Sequence, residues 1–186
     1  MKIGIFGGSF NPIHNQHVGM MEHVLEKGFV DKIWIIPCKN HAFDKSLVRG
    51  KQRIEMINLA IRGISNVEVC DIELKSEGIN YTFDTITKLK EKYNHEFYLI
   101  VGTDILHEIK KWYRYNELLD LVKFVVVKRP NYPVINIPGL KIHGKIIEPI
   151  ILSSTLVREK VKKGESLKKL VSLEVEQYIK ENRLYR

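Results

Sequence analysis

A short apolar run, Lys2-Ile3-Gly4-Ile5-Phe6, passes directly into Gly7-Gly8-Ser9-Phe10-Asn11-Pro12-Ile13-His14-Asn15-Gln16-His17 and then into a helical pattern. Val18, Met21, Val24 and Leu25 recur three or four residues apart, so a helix is expected from about Asn15, with His17 in its first turn and His14 at its start. A strand that reads as buried and feeds a glycine turn and a helix belongs in a parallel sheet, because parallel neighbours need a crossover connection. The same unit constrains chemistry. Glycines allow close backbone approach, and the free N–H groups and positive dipole end of the following helix favour an anion such as phosphate. Histidines at i and i+3 can turn to one face of a helix start and donate to one phosphate group. The alternatives are a structural turn with two solvated histidines or a metal pair. Zinc is the weaker of these, since there is no intervening Glu, no third obvious ligand and no Cys pair at ligand spacing.

Strand-like and helix-like segments alternate through the rest of the chain. Strands are read at 33–36, 67–70, 97–101 and 123–128, and helices near 51–62, 82–93, 105–111 and 116–121. Residues 129–138, with three prolines, read as a loop. The expected fold is α/β: a Rossmann-like, doubly wound parallel sheet with helices on both faces and a small helical segment at the C-terminus. With 186 residues and no repeat, low-complexity tract or linker, one domain over residues 1–186 is expected. The glycines spell G-x-x-G-G, the second strand runs into Pro37-Cys38 without an acidic partner, and no Gly-Lys-Ser/Thr follows the turn. Both the dinucleotide-binding fingerprint and the Walker P-loop are therefore disfavoured.

Composition narrows the class of partner. No apolar run approaches membrane-spanning length and the start lacks a signal-peptide pattern, so a cytoplasmic protein without membrane contact is expected. Two cysteines without metal or redox spacing suit a reducing compartment. The formal charge of +8 admits nucleic acid. From residue 158 onward, however, nine Lys/Arg against five Asp/Glu alternate with apolar residues, as on solvated amphipathic helices. Small anionic substrates fit this pattern better than nucleic acid.

Doubly wound sheets bind ligands beyond the carboxyl ends of their strands. Gly7 to His17, the polar stretch 39–45, Gly102-Thr103-Asp104 and Arg129 all fall on that edge. Near the C-terminus, Ser153-Ser154-Thr155-Leu156-Val157-Arg158 sets three hydroxyls at a helix start with an arginine one turn in, which suits a second phosphate group. Simple N-capping would explain the serines but not Arg158, a cation near the positive end of a helix.

In order and spacing, these motifs resemble the nucleotidyltransferases with (T/H)xGH and ISSTxxR signatures, and within them the nicotinate/nicotinamide mononucleotide adenylyltransferases. The likeness runs through nearly the whole chain: Asn80-Tyr81-Thr82-Phe83-Asp84-Thr85-Ile86 is similar to the family's SYTxDTL segment, and Tyr98 to Asp104, Trp112, Glu117-Leu118, Val125 to Val127 and Arg129-Pro130 to its GxD…W…EL…VVxRP block. The resemblance implies transfer of AMP from ATP, accompanied by Mg²⁺, to the 5′-phosphate of a pyridine mononucleotide, yielding a dinucleotide and pyrophosphate. It implies that His14, His17 and Arg158 are catalytic. It assigns Gly7, Gly8, Ser9, Phe10, His17, Ser153, Ser154, Thr155 and Arg158 to ATP. Gly102 and Asp104 would meet a ribose, and Thr82, Thr85 and Trp112 the pyridine, with Arg129 and Lys45 also on the mononucleotide. No protein-held metal is expected.

Two departures stand out. Gln16 occupies the position of the glycine in HxGH, and residues 37–45 read PCKNHAFDK in place of a PPHK-like segment, where Lys45, and less directly Lys39, would act as flexible point charges. The rival readings are a phosphopantetheine adenylyltransferase or cytidylyltransferase of the same fold, and a non-catalytic nucleotide or RNA-binding domain. Nicotinate versus nicotinamide preference and oligomeric state, a homo-oligomer included, stay open at this level.

Overall fold

The computed structural model describes residues 1–39, 47–146 and 152–186. Its strands are β1 (Lys2–Gly8), β2 (Lys32–Pro37), β3 (Val67–Val69), β4 (Glu96–Gly102), β5 (Lys123–Val127) and β6 (Ile142–Ile146). They pair in the order β3-β2-β1-β4-β5-β6, every pairing parallel. The helices are α1 (Asn15–Glu26), α2 (Gly50–Ala60), α3 (Ile72–Lys75), α4 (Thr82–Lys92), α5 (Thr103–Glu108), α6 (Tyr115–Leu121), α7 (Ser154–Lys162) and α8 (Leu173–Glu181). A 3₁₀ turn, Ile109–Lys111, extends α5.

Strand residues alternate between the two faces, and both faces are apolar, so helices must cover both. Ile5, Trp34, Ile36, Leu99, Val101, Phe124 and Val126 form one core with Ile86 and Leu89 of α4, Leu106 of α5 and Leu118 and Leu119 of α6. On the opposite face Phe6, Ile33, Ile35, Tyr98, Ile100, Val125 and Val127 pack with Met21 and Val24 of α1, Met56 and Ile57 of α2, Val157 of α7 and Val175 and Ile179 of α8. Gly4 keeps the central strand close to its neighbours: a Cβ there would lie 2.8 Å from Ile100 Cδ1.

The expected doubly wound sheet is what forms, with strand order reversing between β1 and β4. That reversal opens a crevice at the carboxyl ends of these two strands. Two elements exceed the sequence reading. A sixth strand, β6, follows the proline loop, and the four-residue α3 lies in the connector before α4. Helix ends shift by one or two residues from expectation, as fraying ends do.

Candidate active site

The β1–α1 turn is built by two histidines that cap one another. His14 is the N-cap of α1; its Nδ1 accepts the His17 N–H, and His17 Nδ1 accepts the His14 N–H, both at 3.3 Å. The rings stack with centroids 3.5 Å apart and planes 13° from parallel. Because each Nδ1 is an acceptor, each neutral ring carries its proton on Nε2, leaving two Nε2–H donors on stacked rings. Burial drives the basicity of both rings down. His14 falls to about 4, with the Arg129 charge adding to the effect and its own backbone hydrogen bond opposing it. His17 falls well below its usual value through burial, then His14, then Arg129. The pair is thus neutral near pH 7 and presents donors without two charges in contact.

Phe10 closes the turn at φ 46, a left-handed conformation uncommon for a bulky residue. Its buried ring meets Phe6 and His17 edge-on, at 5.2 and 5.3 Å between centroids. Gly7 and Gly8 end β1, and Ser9 lies partly buried beside them.

The C-terminal motif packs directly on this turn. Arg158 Nη1 donates to the Asn11 carbonyl at 3.0 Å, and Ser154 Oγ to the Pro12 carbonyl at 2.8 Å. Ser153 accepts the Leu156 N–H at 3.2 Å as the N-cap of α7, while exposed Thr155 accepts from Arg158 Nη2 at 3.3 Å. The carbonyl of Asn11 thereby accounts for the cation near a helix start. Of the three hydroxyls expected at a phosphate, those of Ser153 and Ser154 hold the local fold.

At the ends of β4 and β5, Thr103 Oγ1 accepts the Arg129 N–H at 2.9 Å and so brings Arg129 beside Asp104. Arg129 Nε and Asp104 Oδ1 lie 3.8 Å apart, both buried and both without a hydrogen-bond partner among the described residues. A buried donor and acceptor left facing each other mark a place for a ligand group that can bond to both. Gly102 makes room for them, since a Cβ there would collide with Asp104 Oδ1 and come within 3.0 Å of Arg129.

A separate cleft of about 260 Å³ is lined by Asn80, Tyr81, Thr82, Lys111, Trp112 and Tyr113. Thr82 and Trp112 therefore share a pocket at the start of α4 and the end of the 3₁₀ turn. Thr85 does not join them: buried in the first turns of α4, it lines the adjoining depression, and its hydroxyl donates to Glu73 Oε1 at 2.9 Å. Burial pushes the Glu73 carboxyl up, against the pull of that hydrogen bond. Lys39 Nζ donates to the Ser76 carbonyl. Lys45 lies outside the described residues.

The turn also depends on residues with no local signature. Arg53 of α2 is 1% exposed and donates to three carbonyls: Ser9 at 2.7 Å, Cys38 at 2.7 Å and Val48 at 3.1 Å. It shares the buried stripe of Met56 and Ile57, and a cation on an apolar helix face is the one sequence signal that could have marked it. Asn11, also buried, accepts the Val48 N–H at 3.3 Å and the Tyr185 hydroxyl at 2.9 Å through Oδ1. Among the described residues no three His, Cys, Asp or Glu side chains gather into a metal site.

A parallel α/β sheet whose reversal point carries a glycine–histidine turn, a cationic second motif and an Asp–Arg ion pair too long for a hydrogen bond fits a nucleotide-handling α/β protein. Comparison with known proteins makes this specific. The cytidylyltransferase-like family model matches residues 5–160. A Bacillus subtilis nicotinate-nucleotide adenylyltransferase is 37% identical over 99% of this chain and 98% of its own length, and a Bacillus licheniformis protein named a probable nicotinate-nucleotide adenylyltransferase is 40% identical over 99% and 98%. The fold of the Plasmodium falciparum nicotinic acid mononucleotide adenylyltransferase, solved in complex with NaAD, superposes with a TM-score of 0.85 at 24% identity, covering 99% of this chain and 97% of that one. The chain belongs to the cytidylyltransferase-like family of nucleotidyltransferases and, within it, to the nicotinate-nucleotide adenylyltransferases.

Proposed function

We propose that this chain transfers AMP from ATP to the 5′-phosphate of nicotinate mononucleotide, releasing pyrophosphate and forming the dinucleotide for NAD synthesis. The observation that carries the proposal is the stacked, neutral histidine pair, held by its own capping bonds at a helix N-terminus against Arg158. The reaction needs no protein nucleophile. A phosphate oxygen of the mononucleotide attacks the α-phosphorus, the bond to the β-phosphate bridging oxygen breaks, and the electron pair leaves with pyrophosphate. What a protein adds is alignment and stabilisation of the charge that develops on phosphate oxygens.

In this reading the Nε2–H groups of His14 and His17 donate to the ATP phosphates, and neither ring has to move a proton. Arg158 and Thr155 meet the departing pyrophosphate. Gly7, Gly8, Ser9 and Phe10 line the joined nucleotides, with the glycines admitting the phosphate chain. A ribose hydroxyl, both donor and acceptor, satisfies Asp104 Oδ1 and Arg129 Nε together. Trp112 and Thr82 receive the pyridine ring, whose flat face suits the indole. Thr85, with its hydroxyl committed to Glu73, supports that wall from behind. Mg²⁺ arrives as part of the ATP complex, where it neutralises phosphate charge. Two cysteines without a disulfide between them suit the reducing cytoplasmic setting of this reading.

The test is a kcat/KM comparison of nicotinate mononucleotide, nicotinamide mononucleotide, phosphopantetheine with ATP, and a cytidylyl transfer control. Dinucleotide formed fastest from nicotinate mononucleotide is the expected result. Failure to form a dinucleotide from either pyridine mononucleotide overturns the assignment.

A further inference from the structure

The one departure inside the glycine–histidine motif has a place in the structure. Gln16 is the second residue of α1, partly buried, and its side-chain Oε1 accepts the backbone N–H of Leu152. Because Leu152 N–H is a donor, the amide orientation of Gln16 is fixed, with the oxygen toward Leu152. Leu152 immediately precedes Ser153, the N-cap of α7. Two further bonds join the same motifs farther along, Ser154 Oγ to the Pro12 carbonyl at 2.8 Å and Arg158 Nη1 to the Asn11 carbonyl at 3.0 Å. In each of these the C-terminal motif donates and the N-terminal turn accepts.

We propose that Gln16 is a positioning residue, a staple from the first turn of α1 to the backbone leading into α7, which sets Thr155 and Arg158 in register with His14 and His17. Glycine at residue 16 has no side chain to accept the Leu152 N–H. Register then rests on Ser154 and Arg158, and Arg158 is the group that has to serve a phosphate. Gln16 adds a third tie beside those of Ser154 and Arg158, so that the register does not depend on the guanidinium alone. The functional half of this inference rests on the proposed binding of ATP phosphates between the two motifs; the structural half does not.

The experiment compares the full-length wild type with Gln16→Gly and Gln16→Glu, reading amide exchange at Leu152 by NMR and the Kd for ATP by calorimetry. Loss of one such hydrogen bond corresponds to roughly a threefold to tenfold change in an equilibrium. Gln16→Gly should speed exchange at Leu152 by about that factor and raise the Kd for ATP to a similar degree. Gln16→Glu keeps the acceptor and should leave Leu152 protected, whatever its charge does to ATP affinity. Unchanged Leu152 exchange in Gln16→Gly overturns the staple. Faster exchange with an unmoved ATP Kd overturns its positioning role. Neither readout uses the acceptor mononucleotide, so an error in the proposed reaction would show separately, as ATP binding without dinucleotide formation in the wild type.

Discussion

His14 shows how one side chain can link folding to chemistry. It caps α1, packs its ring on His17 and is buried so completely that its basicity falls to about 4. In the unfolded chain an ordinary histidine takes a proton near 6.5, whereas folded His14 takes one only near 4. Between those values the unfolded state binds more protons, so stability from His14 is complete above about pH 6.5 and is lost as pH falls to about 4. The shift corresponds to about 3 kcal/mol. His14→Asn keeps an N-cap acceptor but cannot titrate. Denaturant unfolding at a series of pH values should therefore show a shallower loss between pH 6.5 and 4 in the variant than in the wild type; equal slopes would mean that His14 is protonated in the native state. The same neutrality assigns His17 a donor's role. In the proposed reaction His17→Ala removes an Nε2–H that would act on developing phosphate charge, so turnover should drop by about a hundredfold or more in a steady-state assay, with far-ultraviolet circular dichroism unchanged.

Among elements, the junction of β1, β2 and α2 is tied together by Arg53 as well as by its apolar contacts. Its guanidinium bonds the ends of both strands and the segment before α2, fixing Ser9, Cys38 and Val48 around one buried charge. Arg53→Met fits the apolar stripe but leaves three carbonyls without that donor, so unfolding should cost about 3 kcal/mol less, read from the denaturant midpoint. A loss under about 1 kcal/mol would show that water serves the carbonyls equally well. A cation on an apolar helix face could mark Arg53, but its role was illegible in sequence for a physical reason: its partners are backbone carbonyls brought together by tertiary structure, and carbonyls have no residue identity. Most of the five strands that were legible contain continuous apolar runs, such as Phe97 to Val101, while the short β3 alternates as Val67-Glu68-Val69. The sixth was not: Ile142-His143-Gly144-Lys145-Ile146 interrupts its apolar residues as an edge strand can. The short α3 lacks the two turns needed to show a period. In the candidate site, the placement of His14, His17, Asp104 and Arg158 near the carboxyl ends of the strands was legible because each sits in a motif whose spacing is local. Thr85 was assigned to the pyridine pocket with Thr82 and Trp112, yet helical geometry sends it to Glu73, a partner twelve residues earlier.

For the molecule as a whole, the two ends of the chain converge on one residue. Asn11 lies in the first turn of the sheet, its carbonyl bonded to Arg158 and its Oδ1 to the hydroxyl of Tyr185, 174 positions away. The C-terminal helices thus complete the wall of the N-terminal turn as well as covering a face of the sheet. This closure ties global stability to site geometry, since whatever loosens the C-terminus removes one of the bonds that hold Asn11, whose carbonyl is the partner of Arg158. Tyr185→Phe isolates the effect: the ring stays and only the hydroxyl goes. Losing a hydrogen bond to a buried amide should cost about 1 kcal/mol of unfolding free energy. Because the bond holds the Arg158 acceptor in place, the same variant should raise the KM for ATP several-fold more than it changes the KM for the mononucleotide. A stability loss with both KM values moved equally would make Tyr185 a general brace; a selective rise for ATP would make the last turn of the chain a functional part of the phosphate site. Denaturant unfolding and steady-state kinetics on one preparation separate the two.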